Sequence, residues 1–206
     1  MSFLGTNDYL DCYYKFAEEL LYMTKYTQIA VIQNHFNEID SFIFFLTDEA
    51  KRKNWEDEGK LKTELLKLGI NQEKILSVDI PNGFNNEQLL KIFNALVLNI
   101  PENASLIVDV THSFRSLPIT LSSVLEYLKK VKNVTISKIY YGAFEVLGNP
   151  RDVKDKPIED RVAPILDITY LNAINDWTSA IDNFLEYGNI DKLKDLSHTA
   201  IKPILI

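Results

Sequence analysis

At 206 residues with 46% hydrophobic side chains, the chain is long enough to bury the core of one ordinary domain with a small appendage. A formal net charge of -7 and a pI near 5.0 argue against a broad electrostatic grip on duplex DNA or an anionic membrane, while leaving room for a small anion held by local donors. One cysteine, Cys12, excludes an internal disulfide framework, the start MSFLGTNDYLD lacks a signal peptide's basic segment, and no apolar run approaches the roughly 20 residues of a membrane span, so a soluble, cytoplasmic protein is expected.

Short β-rich runs alternate with helical patterns. SFLG (2–5) reads as a first strand ending at Gly5 and Thr6. Residues 9–24 allow either a helix or a two-stranded arm about FAEE, and local spacing does not choose between them. A helix is predicted over about 25–36. SFIFFLT (41–47) is a second strand, apolar on both faces as a strand inside a parallel sheet should be. Thr47 and Asp48 then offer caps for a helix over 48–68. ILSVDI (75–80) is the third strand, followed by a helix over 85–99 with Asn85 or Asn86 as cap and Glu87 in its first turn. SLIVDVT (105–111), a helix over 116–130 and VTISKIYYGAF (134–144) complete the series.

This alternation with short polar joints specifies an α/β chain, a Rossmann-like, doubly wound and mainly parallel sheet, over residues 1–165. From about Ile165 the character changes. Leu171, Ile174, Trp177, Ile181 and Leu185 recur at helical spacing up to Gly188, a suitable C-terminal cap, and IDKLKDL follows as a short helix. Residues 166–206 therefore read as a C-terminal helical extension that packs on a partner chain or leads toward a further domain.

In an open α/β sheet, ligands bind beyond the carboxyl ends of the strands, where helix N-termini present free N–H groups. Three strand ends here are polar in a matching way: Gly5-Thr6-Asn7, Thr111-His112-Ser113-Phe114-Arg115, and Tyr141-Gly142. Hydroxyls, an amide, an imidazole and an aromatic ring suit phosphates, ribose hydroxyls and bases, and Arg115 can bind phosphate bidentately. Structural readings stand beside these. Asp109 can simply cap the next turn, Thr6 and Asn7 can be plain turn residues, and Glu56-Asp57-Glu58 reads as a solvated helix face. His35 and His198 are isolated in the sequence and assigned no role. With no G-x-G-x-x-G, no Walker A loop and no ligand spacing for Cys12, neither a dinucleotide cofactor, nor ATP hydrolysis, nor a metal is expected.

VDVTHSFRSLP (108–118) resembles the D-x-T-H-G-F-R-x-L-P signature of the CRISPR-associated D-x-T-H-G-motif proteins, whose sensory module is the CARF domain (CRISPR-associated Rossmann fold). Further blocks agree in order: SFLGTNDY (2–9), FLTDEAKRKNW (45–55), IPNGFNNEQLLKIF (80–93), YYGAFE (140–145) and WTSAIDNFLEYG (177–188). The resemblance implies a homodimeric receptor for cyclic oligoadenylates, the second messengers of type III CRISPR systems, with cyclic tetra-adenylate as the expected ring. It places the ligand across the two-fold axis. Gly5, Thr6 and Asn7 match the family's first loop, Thr111, His112, Ser113, Phe114 and Arg115 the second, and Tyr141 with Gly142 the end of the fifth strand. Ser113 stands where the family has Gly, which narrows backbone approach and adds a hydroxyl donor.

The family's usual effector, a HEPN ribonuclease with an R-x4-H motif, has no match: no histidine falls five positions after Arg52, Arg115, Arg151 or Arg161. The expectation is an allosteric sensor whose tail leads onward to an effector beyond residue 206, with no membrane or duplex DNA as partner. The competing reading is a metal-independent ring nuclease assisted by His112, Ser113 or Thr111, its catalytic set left open. A transcription regulator on this fold is a third reading, with no winged-helix pattern to support it.

Overall fold

The computed structural model describes residues 1–17, 20–58, 60–112 and 117–197. Its strands are β1 (Ser2–Leu4), β2 (Cys12–Lys15), β3 (Leu21–Thr24), β4 (Phe42–Leu46), β5 (Ile75–Asp79), β6 (Ser105–Asp109), β7 (Thr135–Gly142) and β8 (Val162–Asp167). They form one 8-stranded sheet in the order β3-β2-β8-β7-β6-β1-β4-β5. Pairing is parallel from β5 through β4, β1 and β6 to β7, and again between β2 and β8; β2–β3 and β7–β8 are antiparallel. The described helices are α1 (Thr27–Asn34), α2 (Asp48–Asn54), α3 (Leu61–Lys67), α4 (Asn86–Asn99), α5 (Leu117–Val131), α6 (Pro150–Lys154), α7 (Tyr170–Tyr187) and α8 (Asp191–Ser197). The chain is an α/β protein with a Rossmann-like, mostly parallel sheet.

Burial on both faces explains the apolar runs. Along β4, Phe42, Phe44 and Leu46 join α1, α2 and α3 in one core cluster, while Ile43 and Phe45 join α4 and α5 in another. Phe3 and Leu4 of β1 divide in the same way. Successive side chains of a strand point to opposite faces, so a sheet covered on both sides needs an unbroken hydrophobic run. In β7 the register with β6 shifts, Leu106 pairing Ile136 and Ile107 pairing Lys138. Ser137 is thereby a bulge, and the extra residue turns both Ile136 and Ile139 toward the α4–α5 cluster.

The structure decides one open alternative and revises other expectations. Residues 9–24 adopt the two-stranded arm: β2 and β3 form an antiparallel hairpin, with Cys12, Tyr14 and Phe16 buried against Tyr140 and Ala163. The helix expected over 48–68 is two helices. Glu56, Asp57 and Glu58 follow α2, where a negative charge opposes the helix dipole; they are solvated as expected, but in a turn. The strand expected through 144 ends at Gly142, and a 3-10 turn takes Phe144–Leu147. β8 is a further strand, outside the series read from the sequence; it lies between β2 and β7 although it contains Pro164, whose carbonyl accepts from Ala143 N at 2.9 Å.

Caps fall where the side chains offer them. Thr47 accepts from Ala50 N, and Gly188 closes α7 at φ 68° with its N–H on Phe184 O. Asn85 Oδ1 accepts from Gln88 N at 2.9 Å while Gln88 Oε1 accepts from Phe84 N at 3.0 Å, a reciprocal clasp at the start of α4. α7 is tied back to α5 by Lys129, which reaches Asn172 at 3.1 Å and Asp176 at 2.5 Å. No helix is long and apolar enough to cross a membrane among the described residues. Asn85→Ala should lower the unfolding free energy by about 1 kcal/mol with an unchanged denaturant slope; urea titration followed by circular dichroism checks this.

Candidate functional site

From β1 the chain crosses to the β2–β3 hairpin at the far edge, returns through α1 to β4 and β5 on one side of β1, and only then enters β6 on the other. The strand order thus reverses about β1, with β4 and β5 on one side and β6 and β7 on the other, so the carboxyl ends of β1 and β6 form a topological switch point. Register fixes which residues meet there. Ser2 pairs with Asp109, so three residues further on Gly5 comes abreast of His112. Asp109 pairs with Tyr140, so Thr111 comes abreast of Gly142.

The contacts agree with the register. A Cβ placed on Gly5 would stand 3.4 Å from His112 Cβ and 2.9 Å from Tyr9 Oη. Gly5 N donates to Tyr9 Oη at 2.9 Å, and the Tyr9 ring lies against the His112 imidazole, centroids 4.4 Å apart. Burial pushes the Tyr9 hydroxyl far above the usual phenol range. On the other side, Thr111 Oγ1 donates to Asp109 Oδ1 at 2.5 Å and accepts from Gly142 N at 2.8 Å. Asp109 is buried, receiving Thr111 N on Oδ1 at 3.0 Å and Ser2 Oγ on Oδ2 at 2.8 Å. It is therefore the structural clasp that its place at a strand end allows.

The 5–7 loop is held from α2. Asn54 Nδ2 donates to Gly5 O and to Asn7 O, both at 3.0 Å, and Lys53 Nζ donates to Thr6 O at 3.2 Å. The carbonyls of the loop are thus engaged by α2, while Thr6 is half-buried and Asn7 exposed. Tyr141 is adjacent to Gly142, but its hydroxyl donates to Glu145 Oε1 at 2.5 Å, and burial together with that carboxylate pushes its pKa up to about 12. Ser113, Phe114 and Arg115 lie outside the described residues, as does His198. His35 is a buried structural residue, its Nε2 2.8 Å from Tyr140 Oη and Nδ1 3.1 Å from Glu38 Oε2.

Sequence reasoning missed Tyr9 and Asn54. Both lie inside blocks that carry the family resemblance, yet their partners are a loop backbone and a ring from other elements, which no local pattern announces. Among the described residues no group of three or more His, Cys, Asp or Glu is placed to hold a metal ion.

Chemically, His112 is a buried, neutral imidazole beside these strand ends. Burial drives the His112 pKa down to about 4 against a weaker opposing pull from Asp109, and His112 Nε2 has no hydrogen-bond partner among the described residues. Such a nitrogen accepts from a ligand hydroxyl or amino group, or donates in its other tautomer. Lys53 adds a cation at the rim.

No family model matches the chain. A curated protein of the archaeon Methanocaldococcus jannaschii, named CRISPR-associated protein MJ1674, is 26% identical over 167 residues, which covers 81% of this chain and 23% of that protein. The chain thus spans less than a quarter of the relative's length. The similarity supports a CRISPR-associated protein.

Two outcomes follow from this geometry. Because the folded state resists protonation of His112 below the ordinary pKa of 6.5, stability is undiminished above that value and falls as pH drops from 6.5 toward about 4. Between pH 7 and pH 5 the imidazole accounts for a loss of roughly 2 kcal/mol, so His112→Gln should flatten that part of the curve in urea titrations at the two pH values. Gly142→Ala should cost about 1–3 kcal/mol, because its Cβ would meet Thr27 Cγ2 at 2.6 Å. Gly5→Ala should cost less, since the Tyr9 hydroxyl it displaces is the far end of a side chain; thermal melts of both variants check the order.

Proposed function

We propose that the chain is a sensor for cyclic oligoadenylate, cyclic tetra-adenylate foremost, in type III CRISPR antiviral defence. It acts as a CARF-type homodimer of the D-x-T-H-G family, with residues 1–165 as the sensory domain. The helices after Asp167 pass ligand binding on to an effector. The observation that supports this reading is the meeting of Gly5 with His112 at the switch point, where His112 Nε2 is unpaired among the described residues.

A ring of four nucleotides has two-fold symmetry, so each loop pair of a C2 dimer would be used twice on it. Ile119, in the first turn of α5 just after the signature loop, is 76% exposed and supports a seam along that helix. Arg115 and Lys53 are the proposed donors for the phosphates. The low pKa of His112 and the engagement of Thr111 with Asp109 favour a sensor over a ring nuclease. A general base works best with a pKa near the operating pH, and His112 lies well below it.

Calorimetry with cyclic tri-, tetra- and hexa-adenylate, with chromatography of the ring, tests the reading. Tight binding of an intact ring is expected, tightest for the tetramer. Arg115→Ala should weaken it at least tenfold, about 1.4 kcal/mol, and Asn54→Ala should weaken it by letting the 5–7 loop move. Linear products without added metal would favour the nuclease, and no binding to any ring would overturn both.

A further inference from the structure

At the opposite end of the sheet, beside the amino ends of β1, β4 and β6, lies a cavity of about 370 Å³. Ser41, just before β4, Ser105, which opens β6, and Ser137, the bulge of β7, stand around it, and α1 contributes a wall through Gln28. This Gln28 is 1% exposed. Its Nε2 donates to Phe3 O at 2.8 Å, which fixes the amide, while Oε1 is buried with no donor among the described residues. A buried acceptor left unpaired is destabilising, and a ligand that supplies a donor relieves it.

The charge around the cavity has one sign. Glu38 and Asp40 line it on the exposed side and Asp109 on the buried side, and no lysine or arginine is among the lining residues. The amino group of Met1 stands at the same wall, donating to Ile107 O at 2.6 Å; burial lowers its pKa to about 6, so it is mostly uncharged at neutral pH. Between the two acidic ends, Ile32, Phe42 and Phe44 supply apolar wall. A buried carbonyl and carboxylate at one end, apolar side chains between, and two exposed carboxylates at the other form a pattern. It matches a chain of methylenes carrying donor cations at both ends.

We infer that this cavity binds an aliphatic polyamine, with one ammonium group donating to Gln28 Oε1 beside Asp109 and another facing Glu38 and Asp40. The volume accommodates a small molecule of this length, and the acidic lining rejects phosphates and carboxylates. The site is separate from the switch-point crevice and does not depend on what that crevice binds.

Spermidine is the probe. Titrated calorimetrically into the full chain at physiological ionic strength, it should bind with one-to-one stoichiometry. In amide NMR spectra it should shift the Gln28 side-chain resonances and the backbone amides of Ser41 and Ser105. Gln28→Met should weaken binding at least about tenfold. Should that variant fail to fold, the double variant Glu38→Gln, Asp40→Asn should also lower affinity, and 1,8-octanediol, of similar length but uncharged, should not compete. Weak binding that disappears with added salt, spreads over the surface of this -7 chain and leaves the Gln28 amide unmoved would mean diffuse attraction and overturn the site. So would the absence of any heat or shift.

Discussion

The carboxylate of Asp109 is the interaction on which the switch point depends. It is 3% exposed, and a charge at that depth persists only with donors around it. Ser2 of β1 supplies one, and the N–H and hydroxyl of Thr111 supply the others. Thr111 then passes the constraint on by accepting from Gly142 N on β7. Three adjacent strand ends are thus locked through one side chain and one hydroxyl. β1 and β6 share only the single register pair Ser2 with Asp109, so backbone pairing alone would fix this corner loosely. The side-chain clasp makes up the difference.

From that corner the rest of the site follows by counting. Once Ser2 is held opposite Asp109, Gly5 must approach His112, and the approach is close enough that a Cβ at Gly5 would crowd Tyr9 and the imidazole. His112 is then enclosed, which explains its depressed pKa without any positive neighbour. A chain of net charge -7 thereby keeps this crevice free of a fixed imidazolium. Attraction for an anion there would rest on short-range donors such as Lys53, leaving the acidic surface to repel unspecific polyanions.

The central parallel strands were legible because the physics that forms them is written locally. FIFFL is apolar at every position since both faces of β4 are covered, and the caps Thr47, Asn85 and Gly188 are chosen by their own side chains or backbone freedom. The edge was not legible. Whether YLDCYYKFAEELLYMT forms a helix or a hairpin depends on β8, a strand that Pro164 disguises and that pairs with Tyr13 to Lys15 some 150 positions away in sequence. The site was half legible for the same reason. Gly5, Thr111, His112 and Gly142 announce themselves as polar or small residues at strand ends. Asn54 and Tyr9 act by reaching across, and nothing next to them in the chain records the carbonyls and ring they touch.

The same two-faced burial decides where this protein can carry function at all. β4 spends every residue on packing, Ile43 and Phe45 to one side, Phe42, Phe44 and Leu46 to the other, and a polar group introduced there would be buried without a partner. Polar chemistry is therefore expelled to the two ends of the sheet. At the carboxyl ends it is gathered by the Asp109 clasp into a crevice with a neutral imidazole. At the amino ends, a bulge at Ser137 and the amide of Gln28 leave a cavity whose lining is acidic. Asp109 touches both, through Ser2 on one side and Thr111 on the other.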